Sequence, residues 1–384
     1  MQSTKVVVLV AVVGALLATP ASAEGPLSRA WSGFTYLDHN ASGSDPDVAA
    51  QGRKVHAVWN DGVHCCPLTR AAIGPVLYRR SGDFGSTWKS IKYISHEATG
   101  EPSVAVSGSN VHVVWAEPLP DGNSIIRYRR STNGGRSWEG PVRIDGNATA
   151  SWDTPDVAVF GTGVFVVWGD NGMVRFRSSD DRGVTWSRVS SISRGDYPSI
   201  DATGTALHVV FLFQTSEGAS RTGPSYRVDY ARSSNEGGKW SKTRNLSKST
   251  MGGLYTPDTE VSAAGRYVHV VWDEGPGYRR SHDRGATWEG VRSLGEGCCV
   301  SAVTSGRGEV HVAAYSDNEA LGNPPFELIH LGSTDDGATF SAPTAFQGFA
   351  AGGFRPVSTV LSRDRLHIVV VLGIGVIAHT VSSG

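Results

Sequence analysis

Acidic residues recur at a fixed distance beyond a repeated apolar run, and they are the first groups in this chain that could do chemistry. Two or three residues past the runs ending at Trp59, Trp115, Trp168, Trp272 and Ala314 stand Asp61, Glu117, Asp170, Glu274 and Asp317. Segments further upstream add Asp47, Asp156 and Glu260. If those runs are equivalent strands around one axis, the carboxyls converge. Crowding then raises the pKa of one of them and produces the protonated and ionised pair that acid/base catalysis needs. The same convergence suits calcium or another hard cation, the one cofactor the pattern leaves room for. A third reading is structural: each acid recurs because it makes the same hydrogen bond to the next unit.

Histidines and cysteines are less informative. Six of the twelve histidines (His56, His112, His208, His269, His311, His367) share one repeat position, where another copy carries Phe165. A position that accepts Phe is a packing site. His39, His64 and His96 fall in loops and remain as candidate bases or ligands. The cysteines form two adjacent pairs, Cys65-Cys66 and Cys298-Cys299. In an oxidising compartment these make two bridges between the loops, two vicinal disulfides, or a thiolate site with His64. Neither pair has the spacing of a zinc ribbon.

The elements that must position these residues follow from self-similarity. The string Ser-x-Asp/Asn-x-Gly-x-x-Trp occurs at 81–88, 131–138, 179–186, 233–240 and 281–288, with a sixth copy at 333–340 that ends in Phe. The closing aromatics Trp88, Trp138, Trp186, Trp240, Trp288 and Phe340 are 50, 48, 54, 48 and 52 residues apart. Before each box lies a run such as Val55-His-Ala-Val-Trp59, and a seventh run starts at Leu366. Each unit reads as four short strands: one opened by Pro-x-Val (Pro46, Pro102, Pro155, Pro198), the apolar run, a third such as 76–80, the box as a turn, and a fourth such as 89–94. A run apolar at almost every position is a strand covered on both faces. Four-stranded units at this period stack radially as a β-propeller.

The expected fold is therefore all-β: a seven-bladed propeller of four antiparallel strands per blade. The last blade is completed by the N-terminal segment, because 31–37 resembles 88–94 and no full box follows the seventh run. The acids of the strand ends then ring one end of the central channel. Blade seven lacks them and carries Arg355 instead, so an anionic ligand would lean to that side.

The chain has 35 Lys+Arg against 36 Asp+Glu among 384 residues, a formal charge of −1 that offers no footprint for nucleic acid. Lys5, the apolar run 6–17 and Ala21-Ser-Ala23 read as a signal peptide cleaved after Ala23, which leaves one domain over 24–384. No other stretch is long enough to span a membrane. The expectation is a secreted or periplasmic monomer without a transmembrane segment, whose partner is an extracellular glycan or glycoprotein.

The boxes resemble those of the Asp-box (BNR repeat) proteins, and 24–384 is similar to a seven-bladed member of the sialidase-like superfamily. That resemblance implies that the boxes are structural turns and that the site lies on the opposite face, in the loops joining strand four to strand one and strand two to strand three. Sialidases there place three arginines on the substrate carboxylate, a Tyr–Glu nucleophile pair and an Asp acid/base. In this chain Arg70, Arg194, Arg221 and Arg355 fall in loops of that face, and the Arg-Ile-Pro type motif is absent. The resemblance implies a glycosidase, with a lyase or a non-catalytic binder of glycan, protein or metal as alternatives; Arg355, Arg70 and His64, by their place in loops of that face, are the candidate substrate contacts.

Overall fold

The computed structural model describes residues 31–38, 43–62, 74–96, 101–121, 123–146, 154–220, 223–247, 251–252, 258–273, 277–295, 299–316, 327–346, 357–372 and 376–383. The described strands form seven sheets, each built on four antiparallel strands, which follow chain order in the first six. Blade one consists of Gly43–Gln51, Lys54–Asp61, Val76–Ser81 and Lys92–Tyr93. Its fourth strand is shorter than the 89–94 expected, because regular ladder pairing is confined to Leu77↔Tyr93 and Tyr78↔Lys92, with single bonds from the Lys89 amide to Arg80 and the Ile94 amide to Val76 on either side.

The seventh sheet contains Val357–Ser362, Arg365–Leu372, Val376–Val381 and, as its outer strand, Thr35–Tyr36 from the N-terminal segment. Thr35 pairs with His379 and Tyr36 with Ala378. The expected closure is thus observed, and it protects an otherwise open sheet edge. Trp31 occupies the place of a box aromatic, edge-on to His330 at 5.4 Å, as Trp88 is to His379 at 5.1 Å.

Each of the seven hydrophobic clusters joins two neighbouring blades. The alternation of strand two explains this. Val55, Ala57 and Trp59 face blade seven, whereas Val58 faces blade two, so a strand with period-two geometry must be apolar at nearly every residue.

Polar side chains repeat with the same symmetry. The strand-two histidines are buried packing groups, as expected, and four of them hold a tyrosine of strand three: His56–Tyr78, His112–Tyr128, His208–Tyr230 and His269–Tyr278 at 2.6–2.8 Å. Burial pulls the His56 imidazole down to about 3. Third-strand arginines clamp adjacent blades: Nη1 of Arg129, Arg177 and Arg279 donates to Ile94, Ile144 and Leu246 carbonyls of the preceding blade. Arg79 does the same to Leu37 across the closing seam.

The boxes are turns between strands three and four. In the first, Ser81 Oγ donates to Asp83 at 2.6 Å and accepts from the Gly85 amide at 2.8 Å, while Asp83 accepts from the Thr87 amide at 2.9 Å. The Thr185 hydroxyl and amide and the Ser179 hydroxyl likewise hold the Asp181 carboxyl below the usual range. Box aspartates are committed to their own turns.

Candidate functional site at the axial cavity

The inner strands begin on the face opposite the boxes, and their first residues surround a cavity of about 190 Å³ at the mouth of the central channel. Blades one to five and blade seven line it. Among the described residues that line it, six are acidic (Asp45, Asp47, Glu101, Asp156, Asp258 and Glu260) and none is Lys, Arg or His. Pro102 and Pro155 immediately precede the inner strands here, and Pro46 and Pro198 sit at irregularities near the start of theirs, with their φ fixed and no amide to satisfy. Asp45 and Tyr197, just before two of those prolines, have φ of 48° and 53°.

Below the mouth, a circuit of hydrogen bonds links all seven inner strands. In each case a side-chain oxygen accepts from a backbone amide of the next blade. Asp47 takes Val104, Ser103 takes Val157, Asp156 takes Ile200 and Asp201 takes Ala263. Glu260 takes Val303, Thr304 takes Leu361, and Ser358 takes Val48 to complete the ring. Ser103 also donates to Asp156 at 2.7 Å, and Ser358 to Asp47 at 2.6 Å. For Asp47, Asp156 and Glu260 the structural reading of the repeated acids is therefore the observed one.

These carboxyls pay for their position in ionisation. Protein surrounds the narrow channel on all sides, so desolvation raises Asp47 and Asp156, lifts Asp201 to about 7 and takes Glu260 well above its ordinary value. Repulsion from Asp156, Asp47 and Asp201 adds to the effect at Glu260, against the opposing Val303 hydrogen bond. A cavity-facing carboxyl whose protonated form is favoured by burial is suited to act as a general acid.

The described strand-end acids, Asp61, Glu117 and Asp170, are placed elsewhere. Glu117 receives both Nε and Nη2 of Arg127, at 3.2 and 2.9 Å, and Asp170 receives Arg175 Nε at 2.8 Å. Neither they nor Asp61 line the axial cavity. Glu274, Asp317, Arg70, Arg355, His64, Cys65, Cys66, Cys298 and the side chain of Cys299 lie outside the described residues. His96 stacks on Tyr93 at 5.5 Å at the outer rim. Among the described residues, no group of three or more His, Cys, Asp or Glu is disposed to hold a metal ion, and no helix is long and apolar enough to cross a membrane.

Two features of this face escaped the sequence reading. Asp201 belongs to the inter-blade circuit, and it was detectable as an acid in the strand-one segment two residues beyond the usual position. The other is the long hairpin Ala206–Ser220 and Gly223–Ser233 of blade four, with Met251–Gly252 paired to it, which extends past the strand ends of its neighbours. Arg227 lies 4.1 Å over the Phe213 ring near its base and pairs with Asp229.

No family model matches the chain, and comparison with curated proteins returns no match. Solved structures do match. An ulvan lyase of a new polysaccharide lyase family, solved bound to -[GlcA(1-4)Rha3S]-, superposes with a TM-score of 0.58 at 10% identity, over 90% of this chain and 94% of that one. The β-propeller domain of the Trilobed protease from Pyrococcus furiosus gives 0.54 at 9% identity, over 89% and 93%. A Hadza microbial sialidase gives 0.53 at 11% identity over 89% of this chain, which spans 66% of that sialidase's length. At these identities the likeness is one of fold: a seven-bladed propeller with sialidases and a polysaccharide lyase among its structural neighbours.

Proposed function

We propose that this chain is an extracellular carbohydrate-active propeller of the Asp-box, sialidase-like kind, a glycosidase whose site is the acid-lined face opposite the boxes. The observation that carries this reading is the axial cavity: among the described residues its lining holds six acids and no cationic side chain, and burial raises the Glu260 carboxyl well above its ordinary value. Glycoside hydrolysis needs one carboxyl to protonate the leaving oxygen and a second, ionised one to attack or to activate water. Glu260 fills the first role. The second falls to a mouth carboxylate such as Asp258 or Glu101, with Asp61, Glu274 and Asp317 as further acids of the same face. Glu117 and Asp170, each gripped by an arginine, act as positioning residues. The cavity is smaller than the roughly 300–1,000 Å³ of small-molecule pockets, so it takes the end of a glycan rather than an internal stretch. Its charge favours a neutral or amino sugar, and a carboxylated sugar would have to turn towards Arg355, Arg70 and His64. Structural neighbours that are sialidases and a polysaccharide lyase are in keeping with a glycan partner.

A second reading, a non-catalytic glycan-binding propeller, is favoured by the commitment of every inner-strand acid of the circuit to an amide of the next blade. A panel of chromogenic glycosides run beside a glycan array separates the two. Turnover of a neutral glycoside that falls about 100-fold or more in Glu260→Gln supports the glycosidase. Glycan retention without turnover supports the binder. Strong cleavage of a simple sialoside, lost on Arg355→Ala, would overturn the acid-cavity assignment.

A further inference from the structure

The box-bearing face carries a second charged feature, independent of the axial cavity. There the two inner strands of each blade are joined by a two-residue turn. Its first residue is glycine with φ near +60° in blades one to five: Gly52, Gly108, Gly161, Gly204 and Gly265. In blades six and seven the same position is Arg307, φ 55°, and Arg363, φ 60°. This backbone conformation is one that side chains with a Cβ rarely adopt and that hairpin turns ordinarily give to glycine. Two neighbouring blades accept that strain to display an exposed guanidinium.

The blade-one turn adds to them. The Arg363 guanidinium reaches over Gly52, with Nε and Nη2 3.8 Å from the point where a Cβ would stand. Arg53, the next residue, and Arg365 of blade seven both lie over the Phe84 ring, at 5.8 and 4.8 Å. Exposed Lys54 follows in the same hairpin. Among the described residues Arg53, Arg307, Arg363 and Arg365 make no ion pair. The acids on these turns are Asp364 and Glu309, and Glu309 is engaged with His311 Nε2 at 3.2 Å.

We propose that this hub, formed by Arg307, Arg363, Arg365 and Arg53 on blades six, seven and one, docks an anionic polysaccharide through its carboxylate or sulfate groups. Guanidinium forks bind such groups in bidentate fashion, and their recurrence on successive turns suits a ligand whose charge also recurs. Nucleic acid fits less well, since the one ring present, Phe84, is already covered by guanidiniums and the chain has no overall basic charge. A lipid surface fits less well too, because none of the exposed large apolar side chains belongs to these turns.

The test is titration of the full chain with dextran sulfate, with polygalacturonate, and with uncharged dextran as control. A DNA duplex and phosphatidylserine vesicles serve as competing polyanions. Arg363→Gly restores the residue that five other blades place at the turn, so it should leave the melting temperature unchanged or raise it. It should weaken dextran sulfate binding about 10-fold, the usual effect of one charged contact. Arg53→Ser, which copies Ser109 of blade two, should weaken it comparably. The proposal is overturned if neither anionic polysaccharide binds, if both variants bind like the parent, or if duplex or vesicles bind more tightly than either polysaccharide. Because the box face is opposite the cavity, glycoside turnover should be the same in Arg363→Gly as in the parent.

Discussion

The Tyr78 hydroxyl oxygen lies 1.8 Å from the point where a side-chain carbon on Gly135 would stand. A tyrosine of blade one thus enters the box turn of blade two, and Trp138 of that box meets its ring edge-on at 4.9 Å. The same approach joins Tyr128 to Gly183, Tyr230 to Gly285 and Tyr278 to Gly337. Box glycine is therefore needed twice over, for its positive φ and for the space its missing side chain leaves to the neighbouring blade.

Two adjacent glycines of that box separate these requirements. Gly134 and Gly135 have φ of 69° and 76°, but a Cβ on Gly134 would meet nothing within 4 Å. Gly134→Ala should cost about 1 kcal/mol from backbone strain alone. Gly135→Ala should cost ~3 kcal/mol or more, since tyrosine or backbone must move as well. Urea denaturation of both variants decides it. Equal losses would mean that the inter-blade approach carries no weight.

The buried His56–Tyr78 pair makes a pH-dependent contribution of definite sign. His56 falls to about 3 in the folded chain, well below its unfolded value, so the stability tied to its neutral form is complete above pH 6.5 and lost as pH falls towards 3. Blade three replaces the pair with stacked Phe165 and Phe176. The double substitution His56→Phe, Tyr78→Phe should therefore fold and lose less stability between pH 6 and pH 4. Tyr78→Phe alone, which strands a buried imidazole nitrogen, should cost about 1–3 kcal/mol. A thermal-melt cycle over that pH range would expose any lack of coupling.

Asp201 works in the opposite direction. Its carboxyl is raised to about 7 by burial, opposed by the Ala263 and Ala202 amides, with repulsion from Asp156 adding to it. The folded chain thus binds a proton that the unfolded chain has released above pH 4. Stability from this group is complete below pH 4 and declines as pH rises through 7. Asp201→Asn should remove that decline, a change on the order of 1–3 kcal/mol across the window. Parallel stability–pH curves for parent and variant would show that Asp201 ionises normally.

The blade count, the box turns and the closing strand were legible in the sequence because each is repeated, and repetition converts weak local signals into a strong one. Trp31 could be matched to Trp88 for the same reason. The chemistry was harder to read. The recurring acids could be aligned, but only coordinates distinguish Glu260, facing the cavity, from Glu117, whose arginine partner lies on the adjacent strand. Asp201 sits one alternation step away from its repeat-mates and was not counted with them. The arginines at 307 and 363 look like ordinary surface residues until the φ of their turns is known.

The two cysteine pairs carry a covalent prediction that rests on the sequence. Bridges from Cys65/Cys66 to Cys298/Cys299 would span the closing blade and contribute about 4–5 kcal/mol for the first, with much less from the second. In a non-reduced digest, peptides containing 65–66 and 298–299 should run as one linked species. Separate migration would leave vicinal disulfides or free thiols.

The seam between blades seven and one is where the ring depends on a short N-terminal segment. Two residue pairs join Thr35–Tyr36 to the sheet, and Leu37 behind them is fully buried in the cluster shared by the two blades. Arg79 holds the Leu37 carbonyl at 2.9 Å, and Trp59 Nε1 donates to Asp38 at 3.2 Å, so blade one grips this segment through two side chains. Leu37→Ala should cost about 2–5 kcal/mol, the range for emptying a buried leucine site. Removing 24–38 should do more: it exposes the edge of Val376–Val381 along with the apolar surface of Val369, Val371 and Ile377, a template for strand pairing between molecules. Size-exclusion chromatography and thermal melting of the truncated chain provide the check. Aggregation or a large drop in melting temperature is expected, and a monomer that melts with the parent would show that the ring does not need its N-terminal strand.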